Sequence, residues 1–309
     1  MKKYLLIILS LCWTTSFYGQ TIIDLKSGGQ VRSKTMEEYR QEEPGWAEKQ
    51  KADSLQYNDN LTRALNALYR DSLNQAEELL KASLKLRPQA AGNYILRHYL
   101  GRIAMARGNY REAISQFSVL LKDYPNFRDA RFDRASCYLE IKNVHAALED
   151  CETLFNAELK KEEKIKALFL RSACHTENRH PEKAKDDLEM ILKEDPANES
   201  AQLLLAFAYL HLGQNAEALN RLNLFVASHP QSVEGLVARA ELEEQQQMLE
   251  VARADYDKAI ALAPQDATLY AKRAKLLLQM NLRLQAEKDI HKAIDLGYPS
   301  QSLYPLLKK

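Results

Sequence analysis

The sequence is poor in the residues that build phosphate and nucleophile sites. Glycine occurs ten times in 309 residues. No G-x-x-x-x-G-K-[ST] or G-x-G-x-x-G stretch exists, so no backbone cradle for a phosphate is encoded. No G-x-S-x-G turn is present to lift a serine nucleophile. The seven histidines are scattered and none sits in H-E-x-x-H. His175 and His180 lie five apart across an expected turn, out of phase for sharing a metal. Net charge is nearly absent as well, at +1. Nucleic-acid binding needs a concentrated basic footprint, and the composition offers none. Past the first residues no run approaches the ~18 consecutive apolar residues of a membrane span. These absences argue against an enzyme, so no catalytic residue, metal ligand or cofactor is expected.

What is present begins with a leader-like segment. Lys2 and Lys3 precede an apolar stretch from Tyr4 to Trp13, too short to cross a bilayer, and Thr14 to Gly19 is small and polar. Residues 1–19 therefore read as a secretory signal cut before Gln20, with an uncleaved anchor as the alternative. Export from a bacterial cytoplasm, with the periplasm as first choice and secretion as another, is the expected location. Residues 20–45 carry Lys26-Ser27-Gly28-Gly29 and Glu42-Glu43-Pro44-Gly45 without a sustained period, which predicts a flexible polar tether. Helical character starts at Trp46, and Ala47 to Tyr57 can extend the first helix of the adjoining repeat.

From residue 57 the chain repeats. Residues 199–230 show the unit: an amphipathic helix to about Leu212, Gly213 in the turn, a second helix bearing Ala218, Leu222 and Phe225, then Pro230. Alanine at the start of the second helix recurs at Ala76, Ala113, Ala147, Ala184, Ala218, Ala252 and Ala286. Twelve residues earlier another small residue recurs: Ala64, Gly101, Ala135, Ser172, Ala206, Ala240 and Ala274. Small residues at both places let two helices cross closely. Larger residues four positions on, from Leu80 and Phe117 to Tyr256 and Ile290, fill the groove left between them. Proline follows five of the seven second helices, with Leu159 and Tyr298 in the other two. Repeats fall near 57–90, 94–127, 128–161, 165–198, 199–232, 233–266 and 267–300. Two three-residue offsets, near Ala90–Asn93 and Lys161–Lys164, are expected in inter-repeat connections. Cys137, Cys151 and Cys174 all fall on frame positions, which predicts buried packing; a Cys137–Cys151 bridge within one repeat is the alternative. Leu303, Leu306 and Leu307 either fold back on the last repeat or leave an apolar end for self-association.

With Leu100, Gly101, Ala113, Phe117 and Pro125 in one unit, and Leu205, Ala206 and Tyr209 in another, the chain resembles the tetratricopeptide-repeat proteins. The resemblance covers about residues 57–300. It implies an all-α fold, a right-handed α-solenoid of about seven repeats over residues 46–309 that binds proteins or peptides on its concave face. That face is lined by the first helix of each repeat. Carried over to this chain it comprises His98, Arg102, Met105, Asp129, Phe132, Asp133, Glu140, Lys166, Phe169 and Glu177. Further along it comprises Leu203, Phe207, His211, Glu234, Glu241, Glu244, Gln245, Thr268, Lys272 and Lys275. The face is either a solvated charged surface or a groove for an extended segment with central basic and apolar residues, and exposure of Phe132, Phe169 and Phe207 favours the groove. No lysine–asparagine set of the carboxylate-clamp kind appears in the first repeat, which instead offers Asn58, Leu61, Leu65 and Tyr69. The expected function is a non-enzymatic adaptor in the cell envelope holding a protein or peptide segment. The alternative is a structural subunit of a secretion or cell-wall assembly, bound through the convex face or the ends.

Overall fold

The computed structural model describes residues 46–303. The expected leader, tether and last six residues lie outside the described residues, with Leu306 and Leu307 among them. The described chain is helical throughout, without a strand, and divides into two compact units at Asn178–Arg179. The first unit holds α1 (Trp46–Tyr69), α2 (Leu73–Leu86), α3 (Asn93–Ala106), α4 (Tyr110–Asp123), α5 (Arg128–Glu140), α6 (Val144–Phe155) and α7 (Lys161–Glu177). The second holds α8 (Pro181–Glu194), α9 (Glu199–His211), α10 (Asn215–Ser228), α11 (Val233–Gln245), α12 (Leu249–Leu262), α13 (Ala267–Gln279) and α14 (Arg283–Asp295). A 3-10 turn follows at Ser300–Ser302. Within each unit every helix packs on its sequence neighbours, the arrangement of an α-solenoid.

The small-residue frame is the core of both units. Ala64, Ala76, Ala113, Ala135 and Ala147 in the first, and Ala206, Ala218, Ala240, Ala252, Ala274 and Ala286 in the second, are all fully buried. Their knobs Leu80, Phe117, Cys151, Leu222 and Ile290 are buried beside them. Gly101 shows why the frame needs small residues: a Cβ there would stand 2.4 Å from Cε1 of Phe117. Gly101→Ala is expected to cost unit 1 about 1–3 kcal/mol by overpacking, less what alanine returns in helix propensity. Chemical denaturation measures the loss, and adding Phe117→Leu should restore most of it.

The turns follow from two local rules. Each leading helix ends in one residue of left-handed backbone: Asp71, Gly108, Lys142, Arg179, Gly213, Gln247 and Asn281, with φ between 56° and 74°. Glycine and asparagine tolerate this region, whereas lysine, arginine and glutamine have a Cβ that crowds the carbonyl. Gln247→Gly should therefore stabilise unit 2 by roughly 0.5 kcal/mol after the added freedom of the unfolded chain is subtracted; a lowered melting temperature would contradict the strain. Five of the trailing helices stop where proline forces the preceding residue to extend. Arg87, Tyr124, Asp195, His229 and Ala263 all have φ between −124° and −141°.

The two offsets are accommodated differently. The first lengthens the α2–α3 connection, which Asn93 holds by accepting from Tyr57 Oη at 3.1 Å and donating to the carbonyls of Arg87 and Pro88. The second does not lie in a connection as expected. Residues 161–164 form the first turn of α7, which reaches 17 residues against 13 in α5. Glu163 accepts from the backbone N–H of Lys160 at 3.0 Å, so the sequence Lys-Lys-Glu-Glu starts a helix earlier rather than looping out. The last repeat is covered by its own tail, as one of the two expectations held. Leu303 is fully buried with Ala271, Ala274, Ile290 and Ala293. All three described cysteines are buried free thiols, so the Cys137–Cys151 bridge is absent.

Candidate interaction face

In unit 1 the leading helices α3, α5 and α7 bring several of the expected residues together. Nε2 of His98 on α3 lies 3.1 Å from Oδ2 of Asp133 on α5, and Nε of Arg102 lies 3.8 Å from the same oxygen. Burial opposes the charge on Asp133. His98, Arg102 and Lys166 outweigh it, and the carboxyl titrates below its ordinary range. Glu140 on α5 faces Glu177 on α7. Burial and then the like charge push Glu140 upward, while Nζ of Lys142 stands 3.8 Å from Glu177. Asp129 is exposed.

Phe132 corrects the expectation of an exposed aromatic: it is 1% exposed. Three residues before the small position Ala135, its ring turns inward between leading helices, and Nζ of Lys166 covers it at 4.6 Å from the ring centroid. Phe169, at the matching position of α7, is half-buried. In the first repeat Leu61 is buried, whereas Leu65 and Tyr69 are open to solvent.

In unit 2, Lys272 on α13 pairs with Glu241 on α11, and Gln279 donates to Glu244. Glu241 and Glu244 line a cleft of about 360 Å³ with Gln245, Gln247 and Gln279. Leu203 is buried, Phe207 is half-buried, and His211, Glu234 and Lys275 are exposed or partly so. Several of the residues expected to meet a partner thus tie one leading helix to the next. His211, Glu234 and Lys275 stay open to solvent.

The strongest polar interactions were missed by sequence reasoning. Arg134, Arg239 and Arg273 stand immediately before the small position of their leading helices. Each makes a two-pronged bond to an aspartate 16 residues on, in the trailing helix: Asp150, Asp255 and Asp289, at 2.6–2.8 Å. Each also reaches back to the previous trailing helix, to Ser118, Asn223 or Asp257. One guanidinium so joins three helices, a geometry lysine cannot reproduce. The constant Arg–Asp separation was the available signal. Beside the second of these pairs, Glu243 is buried with Oε2 unpartnered, and burial together with Asp255 raises its carboxyl from 4.5 to about 7.

Stacked antiparallel helix pairs on a frame of small residues define a repeat scaffold whose fold implies protein partners. Residues 100–155 and residues 175–240 each match a tetratricopeptide-repeat family model, which supports a tetratricopeptide-repeat reading of these stretches. A tetratricopeptide-repeat protein from Parabacteroides merdae has the same fold, with a TM-score of 0.68 and 26% identity over 82% of this chain and 98% of that one. PilF of Pseudomonas aeruginosa is similar in fold alone, at TM-score 0.54 and 15% identity over 69% of this chain and 94% of that one. Protein FlbA of Caulobacter vibrioides is 36% identical over 100 residues, which is 32% of this chain and 16% of FlbA. This chain therefore matches about a sixth of that relative's length. No helix among the described residues is long and apolar enough to cross a membrane.

Proposed function

We propose that this chain is a non-enzymatic scaffold of the bacterial cell envelope that holds a segment of another protein against its leading helices. The observation that carries the reading is the cleft on α11 and α13. It is open, polar and walled by Glu241 and Glu244 together with Gln245, Gln247 and Gln279. Such a surface suits a partner segment with basic and hydrogen-bonding side chains better than a small apolar ligand. The envelope location rests on Lys2, Lys3 and the short apolar stretch after them. The test is crosslinking with mass spectrometry in intact cells, comparing wild type with Glu241→Lys plus Glu244→Lys. Loss of a crosslinked envelope protein in the variant supports the reading. A cytoplasmic partner, or one retained unchanged, counts against it.

A second reading has an observation of its own. Met190 on α8 and Leu224 on α10 hold the same position on their trailing helices and are 41% and 63% exposed. Apolar side chains open to water at matching positions favour docking into an assembly through the trailing-helix face. Met190→Glu with Leu224→Glu separates the two readings: it should release the partner if that face binds and leave it bound if the cleft does.

A further inference from the structure

Glu243 lies in the last turn of α11 and is 3% exposed. Its Oε2 has no hydrogen-bond partner, and its Oε1 stands 3.9 Å from Nε of Arg239, beyond hydrogen-bond reach. That guanidinium is committed elsewhere. Nε and Nη2 donate to Asp255 at 2.6 and 2.7 Å, and Nη1 donates to Asn223 at 3.0 Å. The neighbouring carboxylates are provided for, since Lys272 pairs with Glu241 and Gln279 donates to Glu244. No basic residue stands in the last turn of α11, where the helix carbonyls already present their negative end. Among the described residues, the helices around α11 bring no second cation to Glu243. From α12, Asp255 faces it as a like charge, Arg253 stands 3.9 Å from Asp257, and Glu250 and Lys258 are exposed. Arg221 on α10 pairs with Glu217, and Arg273 on α13 with Asp257 and Asp289. In this place Glu243 is accommodated as a neutral acid and opposed as an anion.

We infer that Glu243 is a proton-operated latch: neutral, it keeps the last turn of α11 packed against α12; ionised, it leaves its place for water and frees that turn, together with the cleft wall that follows it. Backbone hydrogen bonds make the coupling local. The Glu243 carbonyl accepts from the N–H of Gln246 at 3.1 Å and of Met248 at 2.8 Å, and the Glu244 carbonyl accepts from Gln247 at 3.0 Å. These bonds hold Gln247 in its left-handed conformation, at φ 64°. Glu244, Gln245 and Gln247 line the cleft, so a turn that loosens to release the Glu243 side chain takes that wall with it. Burial, with Asp255 beside it, outweighs Arg239 and raises the carboxyl from 4.5 to about 7. Between those values the closed turn keeps a proton that the open turn has released, so opening grows as pH rises through this window. The latch acts on the turn whether or not a partner fills the cleft.

The experiment is hydrogen–deuterium exchange read by mass spectrometry on the full chain, wild type and Glu243→Gln, at pH 5 and pH 7. Each rate is corrected by that of the unfolded chain at the same pH. In wild type the corrected rate of residues 244–250 should rise by about tenfold or more between the two, since one proton released on opening shifts the equilibrium up to tenfold per pH unit. In Glu243→Gln it should stay level. Residues 286–294 on α14 should not follow in either protein. Infrared difference spectra of the two folded proteins at pH 6 should show the carbonyl stretch of one protonated carboxyl in wild type. Equal protection of residues 244–250 in both proteins at pH 7 would overturn the latch. A rise shared equally by α14 would also overturn it, because charging Glu243 would then weaken the unit as a whole. So would the absence of the carboxyl band at pH 6.

Discussion

Replacing Arg239 with methionine is expected to cost unit 2 about 3 kcal/mol or more, the scale for breaking a buried ion pair from one side. Arg239 clamps Asp255 through two bonds, at 2.6 and 2.7 Å, and reaches Asn223 at 3.0 Å; its Nε also stands 3.9 Å from Glu243. Methionine keeps most of the aliphatic stem and removes the cation. Asp255 is then left buried without its counter-charge, and Glu243, whose carboxyl Arg239 holds down against burial and Asp255, is driven further toward its neutral form. Urea denaturation of wild type and variant measures the difference. A loss under about 1 kcal/mol would place this pair with ordinary screened surface ion pairs. The double variant with Glu243→Gln should recover part of the loss above about pH 7, where the fall in stability that Glu243 contributes is removed.

Glu243→Gln alone should stabilise the protein in a pH-dependent way. In the folded chain Glu243 titrates near 7, against an ordinary 4.5. Between those values the folded state binds a proton that the unfolded state has already lost. Wild-type stability therefore falls as pH rises through this window, and glutamine removes the fall. The advantage of the variant should be close to zero at pH 4 and reach on the order of 3 kcal/mol above pH 7, because each pH unit between the two values contributes about 1.4 kcal/mol. Thermal or urea melts of both proteins across pH 4–8 measure it. A difference that does not change with pH would mean that Glu243 is charged and compensated in the folded state. The opposite slope contributed by carboxylates such as Asp133 and Glu77, both held below their ordinary range, is common to both proteins and cancels in the comparison.

The repeat frame was legible because its cause is steric and local. Alanine or glycine where two helices cross leaves a mark at a fixed spacing, and each such residue is buried where the spacing places it. The turns were only partly legible. Gly108, Gly213 and Asn281 announce left-handed backbone, but Asp71, Lys142, Arg179 and Gln247 adopt it because both flanking helices impose it. The interaction face was less legible still. A repeat register says which side of a leading helix a residue is on, not whether the next repeat covers it. Phe132 and Phe169 share a register, yet Lys166 lies over the first. The arginine clamps are hidden in the sequence for a different reason. They lie one residue away from the small frame positions, where a charge is unexpected until its aspartate partner is counted. The earlier start of α7 is similar: Glu163 supplies a helix cap that a repeat count alone does not register.

The leading helices, and not the trailing ones, are proposed to meet the partner. The most direct measurement is a photo-crosslinking residue placed at one position at a time in living cells: His211, Gln245 or Lys275 on the leading helices, Leu224 or Val251 on the trailing ones. Adducts to one envelope protein are expected from the first three positions and none from the other two. Adducts from Leu224 and Val251 alone would contradict the proposal and make the trailing-helix face the docking surface.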